Sequence, residues 1–142
     1  MRNVSSLDKT ELWWLEDKFE RYDRLDKEIA IRKVELSIKK NDTNIGGGKS
    51  NIPSSPVEIQ VMKSMSDEYI KEREKWKKAI SKVFRSCDED SRKIIEMKYW
   101  SEESYLSWEE IGEKPGINKS KSQMYRLRYS ILEAFAKEIG YI

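Results

Sequence analysis

Apolar residues recur every three and four positions through most of the chain, the spacing of one face of an α-helix. Leu12, Leu15, Phe19, Tyr22, Leu25, Ile29 and Leu36 fall near one stripe, which predicts a long amphipathic helix from about Leu7 to Lys40. The narrow stripe suits a coiled-coil strand, although Asp26 and Lys33 interrupt a strict heptad. Downstream helices or a second chain must cover it, so homodimerisation through this N-terminal arm is one expectation. No segment alternates apolar and polar residues long enough to predict a strand. The expected fold class is all-α.

Residues 41–55, NDTNIGGGKSNIPSS, break the pattern with Asn, Asp, Gly, Ser and Pro and read as a linker. GGGKS matches the second half of a phosphate-binding G-x-x-x-x-G-K-[ST] loop. Thr43, however, stands where the first glycine belongs, charged helix-like residues replace the buried strand before it, and Pro53 and Pro56 follow. The glycines are expected to let the chain reverse. Lys49 and Ser50 are then solvated linker residues, with a phosphate contact from Lys49 as the alternative.

Helix starts are marked by capping chemistry. Ser55-Pro56-Val57-Glu58 is a capping box with proline at the first helical position. Ser66-Asp67 restarts a helix to Arg85, with Tyr69, Trp76, Ile80, Val83 and Cys87 on one stripe and Cys87 read as a small core residue. Asp88, Glu89 and Asp90 cap a helix that carries Ile94, Ile95, Met97 and Tyr99 to about Trp100. Ser107-Trp108-Glu109-Glu110 opens a short helix, GEKPGINKS is a turn, and Ser120-Lys121-Ser122-Gln123 opens the last helix, to Gly140. Short helix, glycine-containing turn and longer helix predict a helix-turn-helix. The expected division is a helical arm at 1–40, a linker at 41–55 and a helical domain at 56–142.

Composition narrows the chemistry. Hydrophobic residues make up 37% of the chain and charged ones 38%, with mean hydropathy −0.84, which favours long exposed helices. Five tryptophans and seven tyrosines argue against disorder. Trp13, Trp14, Trp76, Trp100 and Trp108 read as core or interface anchors rather than base-stacking platforms. There is no histidine and one cysteine, so His/Cys zinc sites, Ser-His-Asp triads and Cys-His dyads within one chain are excluded. No carboxylate cluster lies in an apolar setting either. No catalytic residue, metal or cofactor is expected, and the chain is not expected to be an enzyme. One cysteine fits a reducing compartment, no apolar run approaches the ~20 residues that span a bilayer, and MRNVSSLDKTELWW has no signal-like apolar core. A cytoplasmic protein without membrane association is expected.

Net charge is only +2, but its distribution is uneven. Asp88–Glu113 holds nine acidic and three basic residues, whereas Lys114–Leu132 holds five basic residues and no acid. On the last helix Met124, Leu127, Ile131 and Phe135 share a face, with Leu132 and Ile139 beside them. The opposite face carries Ser122, Arg126 and Tyr129 flanked by Tyr125, with Lys119 and Lys121 at the N-terminal end. A recognition helix needs this arrangement: Arg126 and Gln123 suit guanine and adenine edges, while Ser120, Lys121 and the first amides suit phosphate oxygens. Arg128 falls nearer the apolar face and suits a backbone contact or an internal ion pair. Double-stranded DNA is the expected partner.

The segment CDEDSRKIIEMKYW, SWEEIGEKPGINKSKSQMYRLRYSILEAF resembles region 4 of bacterial sigma factors. The whole chain is similar to phage late-transcription regulators of the RinA and ArpU type, through the charged N-terminal helix, GGGKSN, SPVE, REKWKKAI, the DEDSRKIIEMKYW block and SKSQMYRLRYSILEAFAKEIG. That resemblance implies a sequence-specific DNA-binding activator of phage late genes, such as the packaging and morphogenesis operon, working with host RNA polymerase in the bacterial cytoplasm. It also implies that the glycine loop is part of the family's architecture. The turn EKPGINKS looks a residue or two longer than the usual one. The acidic positions Glu102, Glu103, Glu109, Glu110 and Glu113 are a candidate polymerase-facing surface. Two alternatives stand beside this reading: a small terminase-like packaging subunit, which would form rings, and a helical interaction protein without DNA affinity.

Overall fold

The computed structural model describes residues 7–43 and 56–142, with backbone alone at 39–43. Among these residues there are seven helices and no strand: α1 (Lys9–Glu20), α2 (Tyr22–Thr43), α3 (Pro56–Ser66), α4 (Glu68–Ser86), α5 (Glu89–Trp100), α6 (Trp108–Gly112) and α7 (Lys121–Glu138). The all-helical expectation holds. The expected linker lies largely outside the described residues: α2 runs on through 41–43, and 44–55, with Lys49 and Ser50, is not described.

Local chemistry explains where most helices begin. Asp8 accepts a hydrogen bond from the Glu11 amide while the Glu11 carboxylate accepts from the Asp8 amide, a reciprocal capping box at α1. Ser107 with Glu110 and Ser120 with Gln123 repeat it at α6 and α7. Asp88 caps α5 by accepting from the Ser91 amide at 2.7 Å. Such caps satisfy amides that the first turn of a helix leaves without an intrahelical partner.

The expected continuous helix from Leu7 to Lys40 is corrected. The chain breaks at Arg21, separating α1 from α2. The Trp100 indole N–H donates to the Phe19 carbonyl at 2.7 Å, satisfying an acceptor near the end of α1. Tyr22, the first residue of α2, packs on the same indole at 5.0 Å between ring centroids.

Contacts divide the chain into two compact units, one of 1–23 with 76–142 and the other of Arg24–Lys75. In the first, Leu15, Phe19, Ile94, Ile95, Ile111, Met124, Leu132 and Phe135 are fully buried, each contributing about 1.5–3 kcal/mol. Phe19 sits at its centre, edge-on to Phe135 and tilted against Tyr99, both at 5.2 Å. The start of the predicted arm, α1, is therefore packed on α5 and α7. Trp76 and Trp108 are core residues, Trp100 is half-buried, and Trp13 and Trp14 are exposed. Cys87 is half-buried rather than in the core, and burial followed by the nearby Asp88 charge raises its thiol pKa. In the second unit the Arg32 guanidinium donates to both Asp67 carboxylate oxygens at 2.9 and 3.2 Å. Arg73 donates to Glu28 at 2.9 Å and lies over the Tyr69 ring, so Tyr69 is an exposed cation platform, not part of the core stripe.

Candidate nucleic-acid interface

α6, the turn after it and α7 are built around a close approach at Gly112. A Cβ there would lie 2.6 Å from Met124 Cγ and 2.7 Å from the Lys119 carbonyl oxygen, so only glycine fits. The Lys119 amide donates to the Gly112 carbonyl at 2.9 Å, tying the turn's end to the end of α6. Between them the amides of Ile117 and Asn118 both donate to the Lys114 carbonyl. Gly116 and Asn118 adopt left-handed backbone angles, φ of 92° and 49°. These are the residue types that tolerate that region. Trp108 and Ile111 anchor α6 in the core, and Lys114 forms an ion pair with Glu103.

α7 buries Met124, Ile131, Leu132, Phe135 and Ala136, close to the face the periodicity assigned, with Leu127 half-buried. Lys121, Ser122, Gln123, Tyr125 and Arg126 are exposed. An open groove of about 780 Å³ runs along this side, lined by Lys121, Ser122, Tyr125, Arg126, Tyr129 and Glu133 among others. Arg126 has no ion pair or hydrogen bond among the described residues, so its guanidinium is open to a ligand. Lys121 lies 3.9 Å from Glu109, a long and exposed pair, and so remains available. Lys119 is half-buried; its charge lowers the Asp88 pKa, behind the larger effect of the hydrogen bonds from Ser91. Ser120 and Gln123 are tied into the cap. Gln123 Oε1 accepts from the Ser120 amide at 2.9 Å, leaving its amide nitrogen to face outward chemistry.

Arg128 makes the internal ion pair. Its Nη2 donates to Glu16 Oε1 at 2.6 Å, with both side chains largely buried. Glu16 Oε2 accepts from the Tyr99 hydroxyl at 2.8 Å and from the Trp108 indole at 3.1 Å. One carboxylate thus joins α1, α5, α6 and α7. Burial alone would raise its pKa, but the Arg128 guanidinium and the two neutral donors outweigh that and hold it below the usual carboxylate range. Burial, and then the Glu16 charge, push the Tyr99 phenol well above its ordinary value. Tyr129 is partly engaged too: its hydroxyl accepts from the Leu7 amide at 3.0 Å, pinning the start of α1 to the groove side of α7.

Sequence reasoning missed Glu16, Gly112 and the Tyr129–Leu7 contact. Glu16 had a visible signal, since it lies four residues after Leu12 and three before Phe19, beside the apolar stripe. Of the acidic positions after α5, Glu103 and Glu109 face lysines and Glu110 closes the α6 cap. No group of three or more His, Cys, Asp or Glu among the described residues could hold a metal. No helix among them is long and apolar enough to cross a membrane.

These features define an all-helical protein in which a capped short helix and a tight turn lead into a longer helix whose exposed side carries Lys121 and Arg126. Residues 7–137 match the family described as "Protein of unknown function (DUF722)", and the chain belongs to that family. No curated protein and no solved structure matches it.

Proposed function

We propose that this protein is a sequence-specific DNA-binding transcription activator in which α6, the turn and α7 act as a helix-turn-helix. The observation that carries the proposal is Arg126, without a partner among the described residues, beside Lys121, Ser122 and Tyr125 on the exposed side of α7, within a span from Lys114 to Leu132 that holds no acid. Arginine on the outer face of a buried-faced helix suits two-pronged contact with a guanine edge in the major groove. Lys119, Lys121 and the α7 N-terminus suit phosphate oxygens, which set position without reading sequence. The resemblance to sigma region 4 and to the RinA and ArpU regulators adds the biological setting: late genes of a phage, transcribed by host RNA polymerase in the bacterial cytoplasm. No catalytic step belongs to this role.

Anisotropy titration of labelled duplex DNA tests it. The full chain is expected to bind, and Arg126→Ala to lose preference for the cognate duplex. Equal losses on cognate and random DNA would remove Arg126 from base reading.

A further inference from the structure

The unit Arg24–Lys75 buries little of its apolar surface. Among its described residues only Leu25, Ile29 and Ile70 are buried apolar side chains. α3 carries Val57, Ile59, Val61, Met62 and Met65 yet buries none of its residues. A core of three aliphatic side chains is too small to stabilise a unit of this size by itself, where a larger core, a staple or oligomerisation is the usual remedy.

The uncovered surface is ordered along two helices. On α2, Ile31, Val34 and Ile38 are 50%, 59% and 54% exposed. At 100° per residue they centre opposite Leu25 and Ile29, so α2 is apolar on two opposed faces and one is open. On α3, Val57, Val61 and Met65 recur every four residues and are 71%, 50% and 71% exposed. Polar contacts within the unit include Gln60 Nε2 donating to the Lys33 carbonyl at 2.9 Å and the pairs of Arg32 with Asp67 and Arg73 with Glu28.

We propose that these outer stripes form a homodimer interface whose occupant is a second copy of this chain. The half-exposed Ile31, Val34 and Ile38 make a continuous apolar stripe along α2, the kind of contiguous exposed surface that marks an interaction site. Charge favours a copy over a strongly charged partner, because Arg24–Lys75 holds eleven Lys and Arg against nine Asp and Glu. Nucleic acid or an anionic membrane would call for a marked excess of one sign. Spacing favours it as well. Lys27, Ile31, Val34 and Ile38 alternate steps of four, three and four, a heptad seam that is self-complementary about a two-fold axis.

The proposal stands apart from the DNA reading, and its test contains no DNA. Sedimentation of the full chain is expected to give twice 16.9 kDa, dissociating on dilution. Val34→Glu with Ile38→Glu places two carboxylates in the seam and is expected to weaken association roughly 100-fold or more while helical circular dichroism is retained. A wild-type monomer at about 100 µM would overturn the proposal, as would a ring of more than two copies or a folded double variant that dimerises as before. Should the double variant not fold, the wild-type unfolding midpoint decides: it is expected to rise with protein concentration, and a concentration-independent midpoint overturns the dimer.

Discussion

Glu16 of α1 and Arg128 of α7, 112 positions apart in sequence, meet at 2.6 Å in a largely buried ion pair. The carboxylate also takes hydrogen bonds from Tyr99 and Trp108, so the helix proposed to read DNA is locked to the first helix of the chain. Removing Glu16 leaves a guanidinium and two donors without their partner. Glu16→Ala is expected to cost about 3–5 kcal/mol, the range for breaking a buried pair from one side. Arg128→Ala should cost a similar amount, and the double variant clearly less than the sum. Urea unfolding followed by circular dichroism measures all three; strict additivity would mean the pair is not coupled.

The same pair sets an acid dependence. The Glu16 pKa is lowered in the folded state, so folding binds fewer protons there than the unfolded chain does. Its contribution is fully present above the unfolded-state pKa, near 4.5, and is lost as pH falls through the lowered folded value. Stability of the wild type should fall more steeply below about pH 4.5 than that of Glu16→Gln, as measured by urea midpoints across that window.

Gly112→Ala tests the crossing of α6 and α7. The added methyl group would meet the Lys119 carbonyl and Met124, and backbone cannot swing away as a side chain can. A loss of about 1–3 kcal/mol is expected, together with weaker DNA binding because the start of α7 shifts. An unchanged melting temperature would show that the turn can give.

Trp100→Phe keeps a ring beside Tyr22 and Phe84 but removes the donor to the Phe19 carbonyl. About 1 kcal/mol of stability should be lost, read by denaturant unfolding. No loss would mean that the break at Arg21 does not depend on this bond.

The starts of α5, α6 and α7 and the buried face of α7 were legible in the sequence because they depend on neighbours within one or two turns, whereas the Asp8–Glu11 box of α1 was not read. Ser107, Ser120 and Asp88 announce their caps, and Met124, Ile131 and Phe135 recur at helical spacing. The break at Arg21 was not legible, since the indole satisfying Phe19 comes from 81 residues away. The pattern before it continues as if the helix were unbroken. The outward set Lys121, Ser122, Tyr125 and Arg126 could be read from periodicity. An internal ion pair for Arg128 was one reading of its place near the apolar face, but its partner Glu16 lies on α1 and could not be named from local spacing. The second apolar face of α2, Ile31, Val34 and Ile38, is shorter than the Leu12–Leu36 stripe on the opposite side and was masked by it.

Salt dependence separates general from specific DNA affinity. Each basic residue that meets a phosphate should steepen the fall of log affinity against log salt by about 0.9, and Lys119 and Lys121 are the proposed contacts, Lys114 and Arg128 being held by Glu103 and Glu16. Lys119→Ala should flatten that slope by about one contact and weaken all duplexes alike. Arg126→Ala should cost about 1–3 kcal/mol on the cognate duplex alone. An unaltered slope in Lys119→Ala would remove that residue from the phosphate contacts.

The most direct measurement is selection from a library of short random duplexes by the purified full chain at ~150 mM salt, where weak electrostatic binding is suppressed. DNA reading by α7 predicts enrichment of one motif, bound at least ~10³-fold more tightly than random sequence, and loss of that enrichment in Arg126→Ala. A library that emerges without any preferred motif would contradict it.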